Sequence, residues 1–472
     1  MGSSAWPPAS TSASLLGLYA LQGLSFGLAN GSLPVLLARR ASFSQIALLS
    51  LVSWPYALKG LFAPLVDVFW SRSVGRRKSW VLPCTLLSGL VLGILAATAE
   101  QLVVSGSIGA LASALFVAVL CLAAQDVAVD AWAIELLPRK HLAFASVYQT
   151  LGMSLGNIVG HPLVLFLTSF DVSLGRILSA VSLAHATMAV LTAFLPDLKD
   201  SERPTLEHVL RRMYHLACAR RTALIGVMCL LQRISVAMLD GCAEIYYMRL
   251  PHAAPEQLAW FAAFLSPVAI IASITAAYTL GHDDSPGHLE RMILRGALLL
   301  LFCGATIPWV LTWHSVTSWR SSAALLGLFV VYAVANKLWW TVQGALFNQL
   351  VADSPDQQVR ASHLTLLNAI SNVGKFWPKP LAHLSVDFLG FGVTSMVFVG
   401  FGVALWPAMV AAVHRLLREL RCDARLAILD GAVQECDDPG EEMALVSKSI
   451  QSFDLTDCRS TTCMGAGSKH QF

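Results

Sequence analysis

The sequence predicts an all-α polytopic membrane protein of twelve transmembrane helices in two six-helix halves. Three observations lead there. Of the 472 residues, 56% are hydrophobic and only 13% are charged, against roughly 25% charged in a soluble domain. The mean hydropathy is +0.63. Apolar runs of the length needed to cross a bilayer, about 20 residues, recur along the chain and fall into two sets around a basic middle segment. So little charged surface excludes a soluble enzyme, a nucleic-acid binder and a disordered scaffold. The formal charge of +3 says little, because in a membrane protein the placement of charge matters more than its sum.

The twelve spans read 14–38, 43–66, 79–98, 103–127, 142–168, 174–195, 222–248, 256–280, 292–313, 321–348, 360–388 and 392–414, the last three interrupted by polar residues. Residues 1–13 are rich in Ser, Ala and Pro and carry no positive charge, so they read as a cytosolic N-terminus and not as a secretory signal. Residues 14–195 form the first six-helix bundle, 196–221 a cytosolic middle loop, 222–414 the second bundle and 415–472 a flexible, polar cytosolic tail.

Orientation follows from lysine and arginine, which accumulate on the cytosolic side. Arg72, Arg76, Arg77 and Lys78 follow span 2; Arg139 and Lys140 follow span 4. The middle loop holds Lys199, Arg203, Arg211, Arg212, Arg220 and Arg221, and the tail opens with Arg415, Arg418, Arg421 and Arg425. Both termini are therefore expected in the cytosol. Arg39 and Arg40, after span 1, break the pattern. The sequon Asn30-Gly31-Ser32 lies so close to the membrane that it should remain unused.

The halves echo each other. Ala145-Ser146 opens span 5 and Ala361-Ser362 opens span 11; Asn157, Gly160 and Pro162 are matched by Asn372, Gly374 and Pro378, about 215 residues on. A parallel repeat of six spans is the pattern of the major-facilitator fold.

Ionisable side chains within spans are costly and usually face a cavity or a partner. Span 2 carries Lys59 and Asp67; span 4 carries Gln125, Asp126 and Asp130, the two aspartates one turn apart on one face. In span 7, Arg233, Ala237, Asp240 and Glu244, spaced i, i+4, i+7 and i+11, make one continuous stripe. Span 10 has Asn336 and Lys337 beside Trp339 and Trp340; span 11 aligns Asn368, Asn372, Lys375 and Lys379, with His363 near its start. Asp67 with Arg76 and Arg77 reads as a cytosolic latch, and Asp126 with Asp130 as part of the gate or the fold. Arg233 either grips cargo or neutralises Asp240. Lys59 and Lys375 read as cavity cations, Lys375 with snorkelling as the alternative. Trp339 and Trp340 read as packing aromatics or as a platform for a base. Gly152, Gly156 and Gly160, at every fourth position of span 5, let two helices approach closely.

A cavity lined by cations concentrates anions, so Lys59, Arg233, Lys337 and Lys375 point to an organic anion, with phosphate a natural constituent. There is no P-loop pattern for a primary pump, no HExxH and no nucleophile constellation. The ten cysteines form no CxxC pair. No metal, cofactor or catalytic residue is expected.

Three segments carry a family resemblance: Trp54-Pro55-Tyr56-Ala57-Leu58-Lys59 leading to Ala63-Pro64-Leu65-Val66-Asp67 and Gly75-Arg76-Arg77-Lys78-Ser79-Trp80; Gln125-Asp126-Val127-Ala128-Val129-Asp130 with Trp132; and Thr365-Leu366-Leu367-Asn368, Ser371-Asn372-Val373-Gly374 and Trp377-Pro378. Together they resemble the acetyl-coenzyme A transporter family of the major facilitator superfamily. The sequence departs from that family at Arg233, where a lysine is expected, and at Lys375-Phe376. The resemblance implies import of acetyl-CoA from the cytosol into the endoplasmic reticulum lumen in exchange for CoA. Lys59, Arg233 and Lys375 would contact the phosphates and Trp339 or Trp340 would stack on the adenine, with Asn368 and Asn372 as further substrate-binding candidates. Two alternatives are a related transporter of another anionic or sugar-containing cargo, such as a muropeptide permease, and a membrane-embedded acyltransferase using acetyl-CoA, for which His161 and His363 are the candidates.

Overall fold

The computed structural model describes residues 9–136, 143–195, 197, 205–251, 253–282, 286–313, 319–352 and 357–434. Arg139, Lys140, Lys199, Arg203 and residues 435–472 of the tail lie outside them. Among the described residues every regular element is helical, and the one β contact is an isolated bridge between Ser71 and Gly75.

Among the described residues, nine helices are long and apolar enough to cross a membrane, including Lys78–Val104, Ile108–Ala133, Leu174–Ala193 and Pro255–Leu280, or eleven if two bent helix pairs each count as one span. Expected spans 2, 7 and 11, which carry buried charges, are not single unbroken helices of that kind: segments of spans 2 and 7 pass only as bent pairs, the latter with Leu206–Cys218. Span 2 is bent by 41° between Phe43–Ala57 and Lys59–Val68. Span 7 is broken into Arg220–Gln232, Ala237–Gly241 and Ala243–Met248. Span 11 divides at Trp377 into Gln357–Phe376 and Pro378–Leu389, because Pro378 and Pro380 cannot donate the backbone bonds a continuous helix needs.

Spans 1 and 5 lie backbone against backbone. A Cβ on Gly156 would stand 1.9 Å from the Ala20 carbonyl oxygen, and one on Gly160 would stand 2.0 Å from that of Leu24. The expected glycine stripe is thus a packing device. Both helices widen into π turns beyond it, Leu28–Ser32 and Val159–Leu163. Ser32 Oγ donates to the Gly160 and His161 carbonyls at 2.8 and 3.0 Å. Asn30 of the sequon is held at both ends of its amide, donating to the Phe26 carbonyl at 3.2 Å and accepting from Ser53.

Two boundaries differ from those expected. Within the middle segment, Thr205 caps a helix over Leu206–Cys218, whose apolar positions recur on one face. Such a helix lies at a membrane interface more readily than it spans. The final helix runs over Phe391–Gln434, 44 residues, so the segment from 415 is helical for its first stretch. Glu419, on that extension, pairs with Arg220 and Arg221 at 3.2 and 3.5 Å, which gives the extension a partner in its own half.

Candidate functional site

The latch after span 2 is assembled as a local network. Asp67 Oδ1 accepts from Arg76 and Arg77, each at 3.1 Å, and Arg77 reaches on to Glu135 of span 4 at 2.7 Å. Asp197, beyond span 6, accepts the backbone N–H groups of Arg77 and Lys78 at 3.0 and 2.9 Å. Gly75 is at φ 114°, a conformation glycine adopts without strain, and a Cβ there would meet the Asp197 carboxylate at 2.3 Å. Glu135 and Asp197 carry no signal in sequence, because each is an ordinary acid at a helix end.

Asp126 and Asp130 stand apart from that latch. The bend of span 2 turns Lys59 toward span 4, where its ammonium lies 2.8 Å from Asp126 and 3.4 Å from Asp130. Asp130 also accepts from Tyr19 and Gln149, both at 2.9 Å. Lys59 is 4% exposed, and both carboxylates already engage it. In this conformation it is the middle of an acid-rich cluster in the first half, not an unpaired cation.

The second half carries the opposite balance. Arg233 ends the first segment of span 7 and donates to Asn336 at 2.8 Å and to Asp240. Tyr332 of span 10 donates to the other oxygen of Asp240. The break that follows Arg233 presses against spans 9 and 12, where a Cβ on Gly304 would fall 2.2 Å from the Ser235 carbonyl oxygen. The stripe expected along span 7 is therefore interrupted. Arg233 and Asp240 still meet, but Glu244 turns across the molecule to lie 3.5 Å from His161 Nε2 of span 5.

Lys337, Lys375 and Lys379 have no carboxylate within ion-pair distance among the described residues. Lys375 sits between the halves: its ammonium is 5.2 Å from the Phe26 ring of span 1 and 5.3 Å from the Trp340 ring. Arg233 lies 5.8 Å over the same Trp340 ring. Rings hold a cation by their quadrupole and leave its N–H donors unspent on carboxylates. Successive helix positions point about 100° apart, and the tryptophan pair divides accordingly. Trp339 is 2% exposed in the core, and Trp340 faces the two cations. Asn372 donates to the Tyr56 carbonyl at 3.1 Å and so joins the halves. Asn368 is half-buried on the same helix. Phe26 packs on Tyr56 and Phe376, with ring centroids 6.0 and 6.1 Å apart.

The site is thus an aromatic-walled, cation-rich surface of the second half facing an acid-rich cluster of the first. Comparison with known proteins bears on what it serves. Residues 13–195 match the sequence profile of a family described as Acetyl-coenzyme A transporter 1. The N-terminal half is thus similar to that family. The chain is 38% identical over 157 residues to an uncharacterised protein of Schizosaccharomyces pombe, covering 33% of this chain and 30% of that one. It is 31% identical over 158 residues to the anhydromuropeptide permease of Escherichia coli, covering 33% and 31%. These alignments span about a third of the length of each relative.

Solved structures extend the likeness to the whole molecule. The nucleoside transporter NupG superposes with a TM-score of 0.61 at 14% identity, covering 85% of this chain and 98% of that one. A D-xylose–proton symporter superposes with a TM-score of 0.60, also at 14% identity, covering 85% and 96%. The chain has the major-facilitator fold. It is a multi-pass membrane protein, and the half that is similar to the acetyl-coenzyme A transporter family holds the Asp67 network and the Lys59 cluster.

Proposed function

We propose that the protein carries acetyl-CoA from the cytosol into the endoplasmic reticulum lumen by alternating access, in exchange for CoA. The observation that carries this reading is Lys375, an amine between the halves with no carboxylate in ion-pair reach among the described residues, with Trp340 beside it and Lys337, Lys379 and Arg233 in the same half. CoA bears a diphosphate and a 3′-phosphate, which suit ammonium and guanidinium donors, and its adenine suits an indole face. The match of residues 13–195 to the acetyl-coenzyme A transporter family supports the same cargo.

Purified protein in liposomes should accumulate labelled acetyl-CoA, faster when the liposomes are preloaded with CoA, and without hydrolysis or acetyl transfer. Turnover of the thioester without accumulation would instead indicate the acyltransferase. Uptake of an anhydromuropeptide with indifference to acetyl-CoA would move the cargo toward that of the bacterial permease.

The orientation puts the Asp67–Arg76–Arg77 latch and both termini in the cytosol. A reporter inserted in the 199–221 segment should be active on the cytosolic side, and activity only on the luminal side would invert the topology.

The latch itself serves the conformational cycle. Asp67→Asn should slow exchange by about tenfold, as expected for loss of one charge-assisted contact worth about 1.4 kcal/mol, with acetyl-CoA affinity little changed. A collapse of affinity with normal exchange per bound substrate would place Asp67 in the cargo site.

A further inference from the structure

On the face opposite the latch, the two halves are joined by a reciprocal pair of arginines. Arg39 follows span 1 and reaches into the second half: its Nε donates to the Met248 carbonyl at 2.8 Å and its Nη2 to that of Ala253 at 2.6 Å. Arg249 follows span 7, the counterpart of span 1 in the six-span repeat. It reaches back, with Nε donating to the Ala38 carbonyl at 2.8 Å and Nη2 to that of Ala41 at 2.7 Å. Its guanidinium also lies 4.0 Å over the Phe43 ring. Each half thus clamps the other's chain where a span ends.

The partners of both arginines are backbone carbonyls, which accept hydrogen bonds but cancel no charge. The carboxylate at the seam, that of Asp387 in span 11, is turned to another task. It accepts from the Phe43 and Ser44 backbone N–H groups at 3.2 and 2.6 Å and from Ser44 Oγ at 2.5 Å, at the start of span 2. An anion at a helix N-terminus is held by the exposed N–H groups and the helix dipole. Arg39, Arg40 and Arg249 line a cavity of about 570 Å³ at this seam, together with Asp387. Three guanidinium groups against one engaged carboxylate leave the cavity strongly positive. This is also why Arg39 and Arg40 depart from the charge asymmetry of the other loops.

We propose that this seam is a second anion site, for the phosphate groups of a solute on the far side of the membrane, and that its occupation and closure of the seam are mutually exclusive. The donors that grip Met248, Ala253, Ala38 and Ala41 are the ones a phosphate would take in forked, charge-assisted bonds. An anion that binds the arginines only when they release the other half must favour the open seam, by the difference in its affinity for the two states. Phosphate-bearing solute arriving from the far side then loosens the gate it must pass. The proposal rests on the reading of the protein as a transporter of phosphate-bearing cargo, but its test needs no transport.

Ala41 is buried at 6% beneath the closed seam, so Ala41→Cys reports its opening by reaction with a polar maleimide. The full-length protein in detergent, with unsubstituted protein as background, should label about fivefold faster or more in millimolar pyrophosphate, the low end for coupling between linked events. Potassium chloride at matched ionic strength should not reproduce this; an equal rise in chloride would reduce the effect to screening and overturn the proposal. Arg39→Gln with Arg249→Gln should label fast without pyrophosphate and ignore it. Arg40→Gln, which leaves the carbonyl clamps in place, should label slowly and respond more weakly, which keeps the test valid if the double variant does not fold. A Lys375→Gln background separates the two sites: there the response should persist, and its loss would mean that the anion acts through the central site. No change with pyrophosphate in the parent would also overturn the proposal, while leaving the central site untouched.

Discussion

Lys375→Gln is expected to weaken acetyl-CoA binding about 30-fold or more, since losing one partner of a buried charged bond costs about 2 kcal/mol or more. The protein should fold as before. Lys375 touches rings and not carboxylates, so its removal strands no opposite charge. If the ammonium meets the 3′-phosphate, the loss should be much smaller for acetyl-dephospho-CoA, which lacks that group. Equal loss for both would assign Lys375 to the diphosphate. Binding unchanged for both, measured by titration on the purified protein, would remove Lys375 from the site. Lys375→Arg should retain most of the affinity, because a cation stays and the neighbouring Phe26 and Trp340 rings are planar surfaces that a guanidinium stacks upon well.

Arg233 and Asp240 should behave differently. Arg233 is 2% exposed and bound to Asp240 and Asn336, and Tyr332 holds the second oxygen of Asp240. Arg233→Gln or Asp240→Asn alone leaves a charge buried without its partner, at a cost of about 3–5 kcal/mol. Each single variant should therefore lose much of its thermal stability in detergent. The double variant, which buries two neutral amides, should recover most of it. A departure from additivity in that cycle measures the pair. Stable single variants with lost acetyl-CoA affinity would show that Arg233 serves cargo first and Asp240 second.

The fold was legible in the sequence because a bilayer imposes its thickness on every span, and a soluble fold seldom needs a twenty-residue apolar run. The latch was legible because Asp67, Arg76 and Arg77 are close along the chain. The Lys59 cluster was only half legible. Lys59 and the two aspartates each stand out as costly residues, but nothing local tells which distant helix supplies the partner, and here the bend of span 2 decides it. The continuous stripe read along span 7 assumed an unbroken helix. The breaks after Gln232 and Gly241 keep Arg233 with Asp240 but deliver Glu244 to His161. Phe26 and Tyr332 gave no signal, since an aromatic in a membrane span is ordinary until a charge is found beside it. Arg39 read as an exception to the charge rule, and became intelligible once its carbonyl partners in the other half were known.

The breaks in spans 2, 7 and 11 also bear on how the chain is made. Each segment leaving the ribosome is offered to the lipid in turn, and a Lys, Arg or Asp at mid-depth opposes insertion by about 2.5–3.5 kcal/mol. Span 11 brings Lys375 and Lys379 together with Asn368 and Asn372, and span 7 brings Arg233, Asp240 and Glu244. Neither settles into lipid readily by itself. Span 7 emerges before Asn336 and Tyr332 of span 10 exist to receive its charges, and span 11 emerges after its neighbour across the seam, span 2, is already in place. A span 7 inserted alone would therefore hold Arg233 and Asp240 in lipid without the Asn336 and Tyr332 contacts that receive them in the folded protein.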